Sequence, residues 1–390
     1  MSPTGREGVQ IELGAADCLA AARRITGIDL IDAAVLEPLT VLLESLNRES
    51  NLHAAGARGL QEKIIRDLCN RLRMRRDYLR HPDIADQVIR APVFVCGMAR
   101  TGSTKTQKML ASSGDFNWLP YWQVFNPSLL TGSRAESPQP RIEDCEKFVR
   151  WFHQASPETQ AGHRYDAHEP EEESFILEHS LQSPVWMGWA PMPTYLQWLL
   201  TCDMSAQFTL LRDMLKYLQW QGLADPQRRW VLKSPLYSGM EPLLLAAFPD
   251  ARLLMTHRTP VVTIPSGLRL LECFYKPFTN SAPDPAFYVA GMSGAIKQHL
   301  TVRASMPPGR FIDIPFDRLT RTPTAVLKAV YADCGMPLSP DSRQRMLAWD
   351  ASHPQNQFGK HVYALENYGL NQASIEAEFA DYIAFISRLS

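Results

Sequence analysis

The sequence lacks an excess of charge, paired cysteines and long apolar runs. Its 390 residues carry 40 Lys and Arg against 41 Asp and Glu, a balance that argues against broad binding to nucleic acid or to an anionic membrane. The seven cysteines are scattered and form no Cys-x-x-Cys pair, which argues against a disulfide framework or a zinc site. No apolar run approaches the roughly 18 residues that span a bilayer, and the first residues contain no apolar signal core. We therefore expect a cytoplasmic protein without a membrane span and without a nucleic-acid partner.

The composition that remains is ordinary for a globular protein, with 45% hydrophobic and 21% charged residues. Helical periodicity runs from about residue 17 to 79 and again from 322 to the end, and a row of arginines at 71–76 is typical of a solvated helix face. Between these regions, short β-rich runs at 91–97, 229–233, 251–257 and 310–316 alternate with helical patterns. This alternation predicts an α/β fold with a mostly parallel sheet flanked by helices. We divide the chain into a helical segment at 1–90 and an α/β domain at 91–390.

A candidate phosphate loop, Gly-Met-Ala-Arg-Thr-Gly-Ser-Thr, occupies residues 97–104 between a predicted strand and a predicted helix. Glycine at both ends lets the backbone fold tightly over an anion, which the amides of 101–105 and the helix dipole would hold. The spacing follows a Walker-type loop up to Gly102, but Ser103 stands where a nucleotide triphosphatase has lysine. The nearby cation is instead Arg100. An ordinary glycine-containing turn is the structural alternative.

A second candidate anion site follows the strand at 251–257. Arg258 comes directly after this strand, at the sheet edge where open α/β sheets bind ligands, and Ser266 lies eight residues later. A guanidinium and a hydroxyl suit a dianionic phosphate. A structural Arg–carboxylate pair with a surface serine is the alternative.

Together these motifs resemble the sulfotransferase family that uses 3′-phosphoadenosine 5′-phosphosulfate (PAPS), and most closely its bacterial branch. The resemblance implies a P-loop-like nucleotide-binding core with helical N- and C-terminal extensions, in which the first loop binds the 5′-phosphosulfate and the second the 3′-phosphate. The segment Trp-Val-Leu-Lys-Ser-Pro at 230–235 resembles a further family motif and implies that Lys233 lies near the sulfate. The run Gly-Lys-His at 359–361 resembles a C-terminal motif of the bacterial branch. The residues implied to bind the donor are Arg100, Thr101, Gly102, Ser103, Thr104, Lys105, Arg258, Ser266, Lys360 and His361.

Transfer from PAPS would be an in-line attack of an acceptor hydroxyl on sulfur, with Arg100 and Lys233 stabilising the developing charge. The segment Pro-Glu-Glu at 170–172 resembles one in the bacterial branch, so Glu171 and Glu172 are candidate general bases. His168 is a third candidate, and the choice among the three stays open. Side chains supply the cations, so no metal is expected. Gln123 stands where relatives often have glutamate, which favours the alternative of a nucleotide-binding scaffold that has lost catalysis.

The acceptor site is expected in an aromatic segment around 163–200 that would act as a lid. Its aromatic residues, together with one that follows the phosphate loop, would form an apolar wall for a small molecule that carries a hydroxyl; they are Trp122, Trp186, Trp189 and Tyr195. Core packing is the alternative, and the other histidines of this region, His163 and His179, are expected to be structural. A P-loop kinase and a helical interaction module at 17–90 are rival functions, and the sequence leaves open whether the protein forms a homo-oligomer.

Overall fold

The computed structural model describes residues 12–354 and 364–389. At its centre lies a five-stranded sheet in the order β2-β3-β1-β4-β5, and every neighbouring pair of strands is parallel. The strands are β1 Val93–Cys96, β2 Phe116–Asn117, β3 Arg229–Lys233, β4 Arg252–His257 and β5 Phe311–Pro315. The predicted α/β fold with a parallel sheet is confirmed. The predicted boundaries of four strands differ by at most two residues from those observed, whereas the two-residue strand β2 was not predicted.

The sheet is covered on both faces, which explains the apolar sequence of its strands. All four residues of β1 are buried, as expected for a strand that has helices above and below it. The strand register places Val95 beside Lys233 and Cys96 beside Met255. The carboxyl ends of β3, β1 and β4 therefore lie side by side, and the predicted motifs leave the sheet at this common edge.

The N-terminal helices belong to the same hydrophobic core as the sheet. Leu39 and Leu60 share one buried cluster with Phe94 of β1, and the Ser50 hydroxyl donates to the Pro191 carbonyl at 2.8 Å. The helices are α1 Ala15–Thr26, α2 Leu36–Glu49 and α3 Ala54–Arg80, with 3₁₀ turns at Ala33–Val35 and Pro82–Ile84. The division of the chain near residue 90 stays a prediction.

The arginine row of α3 differs from the expected solvated face at Arg76. Its side chain is buried and pairs with Asp77 at 2.7 Å. It also donates to the carbonyl oxygens of Leu129 at 3.0 Å and Leu130 at 3.2 Å. Arg76 therefore ties α3 to a loop between helices, because it supplies the donors that those buried carbonyls need.

The remaining helices flank the sheet and close its carboxyl edge. They are α4 Ser103–Ser112, α5 Tyr121–Phe125, α6 Gln139–Ala155, α7 Thr159–Gly162, α8 Ser174–Glu178, α9 Pro193–Leu199, α10 Ser205–Trp220, α11 Glu241–Ala247, α12 Pro260–Tyr275, α13 Pro285–Ser305, α14 Phe316–Arg321, α15 Pro323–Asp333, α16 Pro340–Ser352, α17 Gln372–Glu378 and α18 Ala380–Ile386. Further 3₁₀ turns lie at Pro184–Gly188, Pro235–Tyr237 and Leu365–Tyr368. Within 12–354 and 364–389, no helix combines the length and the apolar character needed to cross a membrane. A cytoplasmic location and a homo-oligomer stay predictions.

Candidate active site

The phosphate loop joins β1 to α4 through a backbone that needs glycine at two positions. Gly97 has φ +118°, and a Cβ there would lie 2.3 Å from the Thr256 carbonyl oxygen. Gly102, the residue before α4, has φ +94°. Arg100 also adopts a positive φ, +71°, which is uncommon for a residue with a side chain and is found at functional sites.

The N-terminus of α4 presents backbone donors at this loop. Its first helical hydrogen bond runs from Thr106 N to Gly102 O at 3.0 Å, so the amides of residues 103–105 lie at the open end of the helix. Ser103 is buried and Thr104 is exposed, and both line the adjoining cavity. The Thr101 hydroxyl donates to the Met98 carbonyl at 2.6 Å. That hydroxyl therefore braces the loop from inside, and a contact of Thr101 with the donor stays a prediction.

The Lys105 side chain makes a contact between two helices. Its ammonium pairs with Asp350 of α16 at 2.5 Å, and Lys105 is not among the residues that line the cavity. A contact of Lys105 with the donor stays a prediction.

The two predicted anion motifs meet in the structure. Arg258, directly after β4, donates to the Arg100 carbonyl at 3.3 Å, and its guanidinium lies 4.0 Å from the centroid of the Phe316 ring. Arg100 Nε donates to the buried Ser266 hydroxyl at 3.0 Å, and a second Arg100 nitrogen donates to the Gly162 carbonyl at 2.7 Å. Arg100 thus forms one polar surface with Arg258 and Ser266, which lie 158 and 166 positions further along the chain. Helix α12 continues through Pro265, next to Ser266.

A cavity of about 170 Å³ opens beside this surface. Its charged and polar lining side chains come from the loop, from the segment around the acidic residues and from β3; they are Arg100, Ser103, Thr104, His163, Glu172, Ser174 and Lys233. The rest of its wall is largely apolar and includes Phe175, Val185, Trp189, Leu270, Leu271 and Phe274. The cavity therefore combines a group of charged side chains with a largely apolar chamber, which is the usual character of a small-molecule site.

Backbone pairing brings the acidic segment to the cavity. Pro120 and Pro170 form an antiparallel bridge, and Glu171 N donates to the Leu119 carbonyl at 2.9 Å. Glu172 then lines the cavity, where it accepts a hydrogen bond from the Lys233 ammonium and another from the Ser174 hydroxyl at 3.2 Å. Of the three consecutive glutamates 171–173, Glu172 alone is among the residues that line this cavity.

The neighbours of Glu172 have different environments. Burial raises the pKa of Glu171, but the charge of His163 and its hydrogen bond, followed by Lys233 and Lys108, outweigh burial and hold that pKa well below its ordinary value. Glu171 is therefore ionised at neutral pH and already engaged with His163, so it is a poor proton acceptor. Burial raises the pKa of Glu173 to about 7, and its carboxylate accepts the backbone N–H of Lys233.

Two histidines lie in positions opposite to those expected, while their roles stay predictions. His168 is exposed, pairs with Glu146 at 3.1 Å and does not line the cavity. His163, expected to be structural, lines the cavity with Nε2 3.1 Å from both Glu171 oxygens and Nδ1 3.9 Å from Glu172. Its position in the stretch rich in acids and aromatics was the available signal, but that stretch contains several histidines.

Among the described residues, His163, Glu171 and Glu172 form a group whose potential metal-ligand atoms all lie within 4.8 Å of one another. The Lys233 ammonium already contacts Glu172 within this group. A side chain thus supplies positive charge at this point, and the absence of a functional metal stays a prediction.

Trp189 alone of the four predicted acceptor-binding aromatics lines the cavity. The others make contacts elsewhere in the core: Arg141 lies 5.2 Å from the Trp122 ring, the Trp186 indole donates to the Glu178 carbonyl, and the Tyr195 hydroxyl donates to the Leu181 carbonyl. For these three the core-packing alternative describes the structure. Gln123 is also buried and does not line the cavity. Lys360 and His361 lie outside the described residues.

Sequence reasoning missed much of the apolar wall, which comes from two helices. Leu270, Leu271 and Phe274 of α12 and Tyr288 and Met292 of α13 line the cavity. Tyr288 packs closely on α12, since a Cβ on Gly267 would lie 2.0 Å from its hydroxyl oxygen. The apolar periodicity of these helices is equally typical of core packing, so it did not mark them as part of a site.

Comparisons with known proteins agree with this architecture. The model of the sulfotransferase family matches residues 92–340. The crystal structure of sulfotransferase STF9 from Mycobacterium avium is similar, with a TM-score of 0.83 and 26% identity over 97% of this chain and 98% of that one. Sulfotransferase STF1 from Mycobacterium tuberculosis H37Rv has a TM-score of 0.79 and 25% identity over 95% and 100%. A comparison with curated proteins finds no significant match. The chain belongs to the sulfotransferase family and is a sulfotransferase enzyme.

Proposed function

We propose that this sulfotransferase moves the sulfuryl group of PAPS to the hydroxyl of an apolar small molecule. The observation that carries the proposal is a single cavity lined by both charged and apolar side chains. Arg100, Lys233 and Glu172 line it, Lys233 contacts Glu172, and most of the remaining wall is apolar. An anionic group and a hydroxyl could react beside these charged residues while the body of the acceptor lies against the apolar wall.

The donor would lie along the polar surface formed by the two anion motifs. The open amides of α4, with Arg100, Ser103 and Thr104, suit the 5′-phosphosulfate, because a helix N-terminus and a guanidinium both favour negative charge. Arg258 and Ser266 suit the 3′-phosphate. The contact between Arg100 and Ser266 at 3.0 Å supports this assignment, because it makes the surface continuous.

The transfer would break the bond from sulfur to the 5′-phosphate oxygen and form a bond from sulfur to the acceptor oxygen. Negative charge grows on the departing phosphate, and cations placed beforehand lower that cost. Lys233 and Arg100 both line the cavity, so we assign charge stabilisation to them. Lys233 is held by Glu172 through its ammonium and by Glu173 through its backbone N–H.

Glu172 is the proposed general base. Its carboxylate lines the cavity, whereas Glu171 and His168 do not. His163 Nδ1 lies 3.9 Å from Glu172, so the imidazole stands next to the proton that Glu172 would accept. Glu171 fixes the ring from the other side. Proton transfer of this kind typically contributes about 10²- to 10⁴-fold to a rate.

Isothermal titration with adenosine 3′,5′-bisphosphate tests the donor assignment. Wild type should bind this nucleotide and Arg258→Met should bind it at least about tenfold more weakly, since a charge-assisted hydrogen bond contributes about 1.5–3 kcal/mol. Arg48→Met is a matched control, because Arg48 is exposed and pairs only loosely with Glu44 at 3.7 Å. Absence of nucleotide binding by wild type would refute the donor assignment.

The acceptor class is tested by measuring the transfer of the radiolabelled sulfuryl group of PAPS to a panel of phenols and aliphatic alcohols. Transfer to apolar hydroxyl compounds is expected, and transfer only to charged or sugar hydroxyls would contradict an apolar acceptor. Nucleotide binding without transfer to any hydroxyl would favour the inactive scaffold. The inactive scaffold was suggested by Gln123, but Gln123 lies outside the cavity and Glu172 lines it. This arrangement supports an active enzyme.

A further inference from the structure

Trp189 connects the acceptor chamber to a buried polar network. Trp189 lines the cavity, yet the residue is only 1% exposed. Its Nε1–H donates to the Glu178 carboxylate. An indole has a single donor, so this hydrogen bond restricts the plane of the ring. The orientation of the ring in turn shapes the chamber.

Glu178 ends α8, the short helix that also contributes Ser174 and Phe175 to the cavity. Its carboxylate accepts from Trp189, and its backbone carbonyl accepts from the Trp186 indole at 3.2 Å. Burial raises the pKa of Glu178, and the neighbouring Lys63 counteracts this rise. Glu178 therefore holds two adjacent indoles, one through its carboxylate and one through its carbonyl.

Lys63 brings the N-terminal helix α3 into the acceptor site. Its ammonium contacts the other Glu178 oxygen, and both side chains are almost fully buried, at 5% and 2% exposure. The same ammonium lies 5.0 Å from the centroid of the Trp189 ring and 5.4 Å from that of Trp186. A cation at these distances is attracted to the aromatic rings. Lys63 thus fixes Glu178 and contacts the rings that Glu178 orients.

We propose that Lys63 and Glu178 are positioning residues of the acceptor site, which set the orientation of the Trp189 ring and so the affinity for a flat apolar acceptor. This inference rests on the proposed acceptor chamber. Neither residue lines the cavity, so their effect passes through Trp189. The N-terminal helices then have a role in acceptor selection in addition to packing.

Two measurements on the full-length protein report separately on the Trp189 hydrogen bond and on acceptor binding. The indole N–H resonance of Trp189, assigned by its loss in Trp189→Phe, reports the hydrogen bond without any acceptor. Binding of 2-naphthol, followed by titration calorimetry in the presence of adenosine 3′,5′-bisphosphate, reports the chamber. The expected result for Lys63→Met is an upfield shift of the Trp189 resonance and about tenfold weaker 2-naphthol binding, with nucleotide affinity changed less than twofold.

Further variants distinguish positioning from simple destabilisation. Lys63→Arg keeps the charge and should restore 2-naphthol affinity to within about threefold of wild type. Lys63→Met/Glu178→Met removes both charges together and therefore avoids an unpaired buried charge that could prevent folding; it should weaken 2-naphthol binding as much as Lys63→Met. Glu241→Gln is the matched control, because Glu241 is a fully buried carboxylate paired with His299 and lies outside the cavity. It should lower the melting temperature without weakening 2-naphthol binding selectively.

The inference is overturned if wild type binds 2-naphthol and the double variant binds it equally well, or if every variant weakens nucleotide and 2-naphthol to the same extent. An unmoved Trp189 resonance in Lys63→Met also overturns it. If wild type binds the nucleotide but no 2-naphthol, the apolar acceptor of the proposed function fails, and the inference fails with it. If wild type binds 2-naphthol but no nucleotide, the donor assignment fails alone.

Discussion

Replacing Glu172 with glutamine tests the proposed base, because the change keeps the size of the side chain and removes its charge. Glu172 lines the cavity and contacts Lys233. Loss of a general base should lower kcat by about 10²- to 10⁴-fold, which corresponds to a barrier about 3–5 kcal/mol higher. We expect this loss in kcat with little change in the KM for the acceptor.

The same substitution should strengthen donor binding, and this opposite effect makes the test specific. Removing one negative charge at about 8 Å from an anionic ligand is worth up to about 2 kcal/mol at an effective dielectric constant of about 20. Adenosine 3′,5′-bisphosphate should therefore bind to Glu172→Gln with equal or up to about 30-fold higher affinity. Simple disruption of the site would instead weaken binding.

Glu172→Gln also leaves Lys233 without this carboxylate, and Lys233 is 2% exposed at its side chain. We expect a loss of about 1–3 kcal/mol in the free energy of unfolding, which urea titration would measure. Glu169→Gln is a suitable control, because Glu169 lies nearby, is 45% exposed and pairs with Lys108 at 3.6 Å outside the cavity. A kcat within twofold of wild type in Glu172→Gln, with the fold intact, would refute the assignment.

Three further predictions address other residues. Ser266→Ala should weaken adenosine 3′,5′-bisphosphate by less than about tenfold and Arg258→Met by about 10- to 100-fold in calorimetry; the reverse order would contradict the proposed 3′-phosphate site. In a steady-state assay, His163→Gln should lower kcat at least about tenfold, whereas the kcat of His168→Gln should stay within twofold of wild type. Equal effects of the two substitutions would contradict the assignment of His163, and not His168, to the active site. Burial raises the pKa of Glu173 to about 7 in the folded protein, above its ordinary value of 4.5, so the unfolding free energy of wild type relative to Glu173→Gln should be highest below about pH 4 and fall by up to about 3 kcal/mol as the pH rises to about 7. Urea titration across this range tests the last prediction, which a pH-independent difference would contradict.

The sequence predicted the sheet well because its strands are short, buried and apolar. β1, β3, β4 and β5 lie close to the predicted ranges, and β3 has the predicted bounds. Strand β2 consists of Phe116 and Asn117 only, which is too short for a hydrophobic pattern to stand out. The strand order was also not predicted, because it depends on crossovers between distant segments and not on local sequence.

The residues proposed to bind the donor could be placed on the fold from sequence, because topology determines where they lie. A residue that directly follows a parallel strand must lie at the carboxyl edge of the sheet, and this applies to both the phosphate loop after β1 and Arg258 after β4. The contact of Arg100 with Ser266 confirms that the two motifs meet. Side-chain direction was harder to foresee, since Thr101 and Lys105 belong to the same motif but contact Met98 and Asp350 instead.

The candidate base and the acceptor wall depend on loops, and here residue type alone left several neighbouring side chains open. His163 and His168 are five residues apart, and only the pairing of residues 119–121 with 169–171 decides that the first faces the cavity. Trp186 and Trp189 lie within one 3₁₀ turn and its end, but only the second lines the chamber. Residue types indicated which segments of the chain contribute to the candidate site. The choice among neighbouring side chains follows from tertiary hydrogen bonds such as those of Glu178. On the positioning role proposed for Lys63, we expect a substitution in α3 to weaken acceptor binding without changing nucleotide affinity.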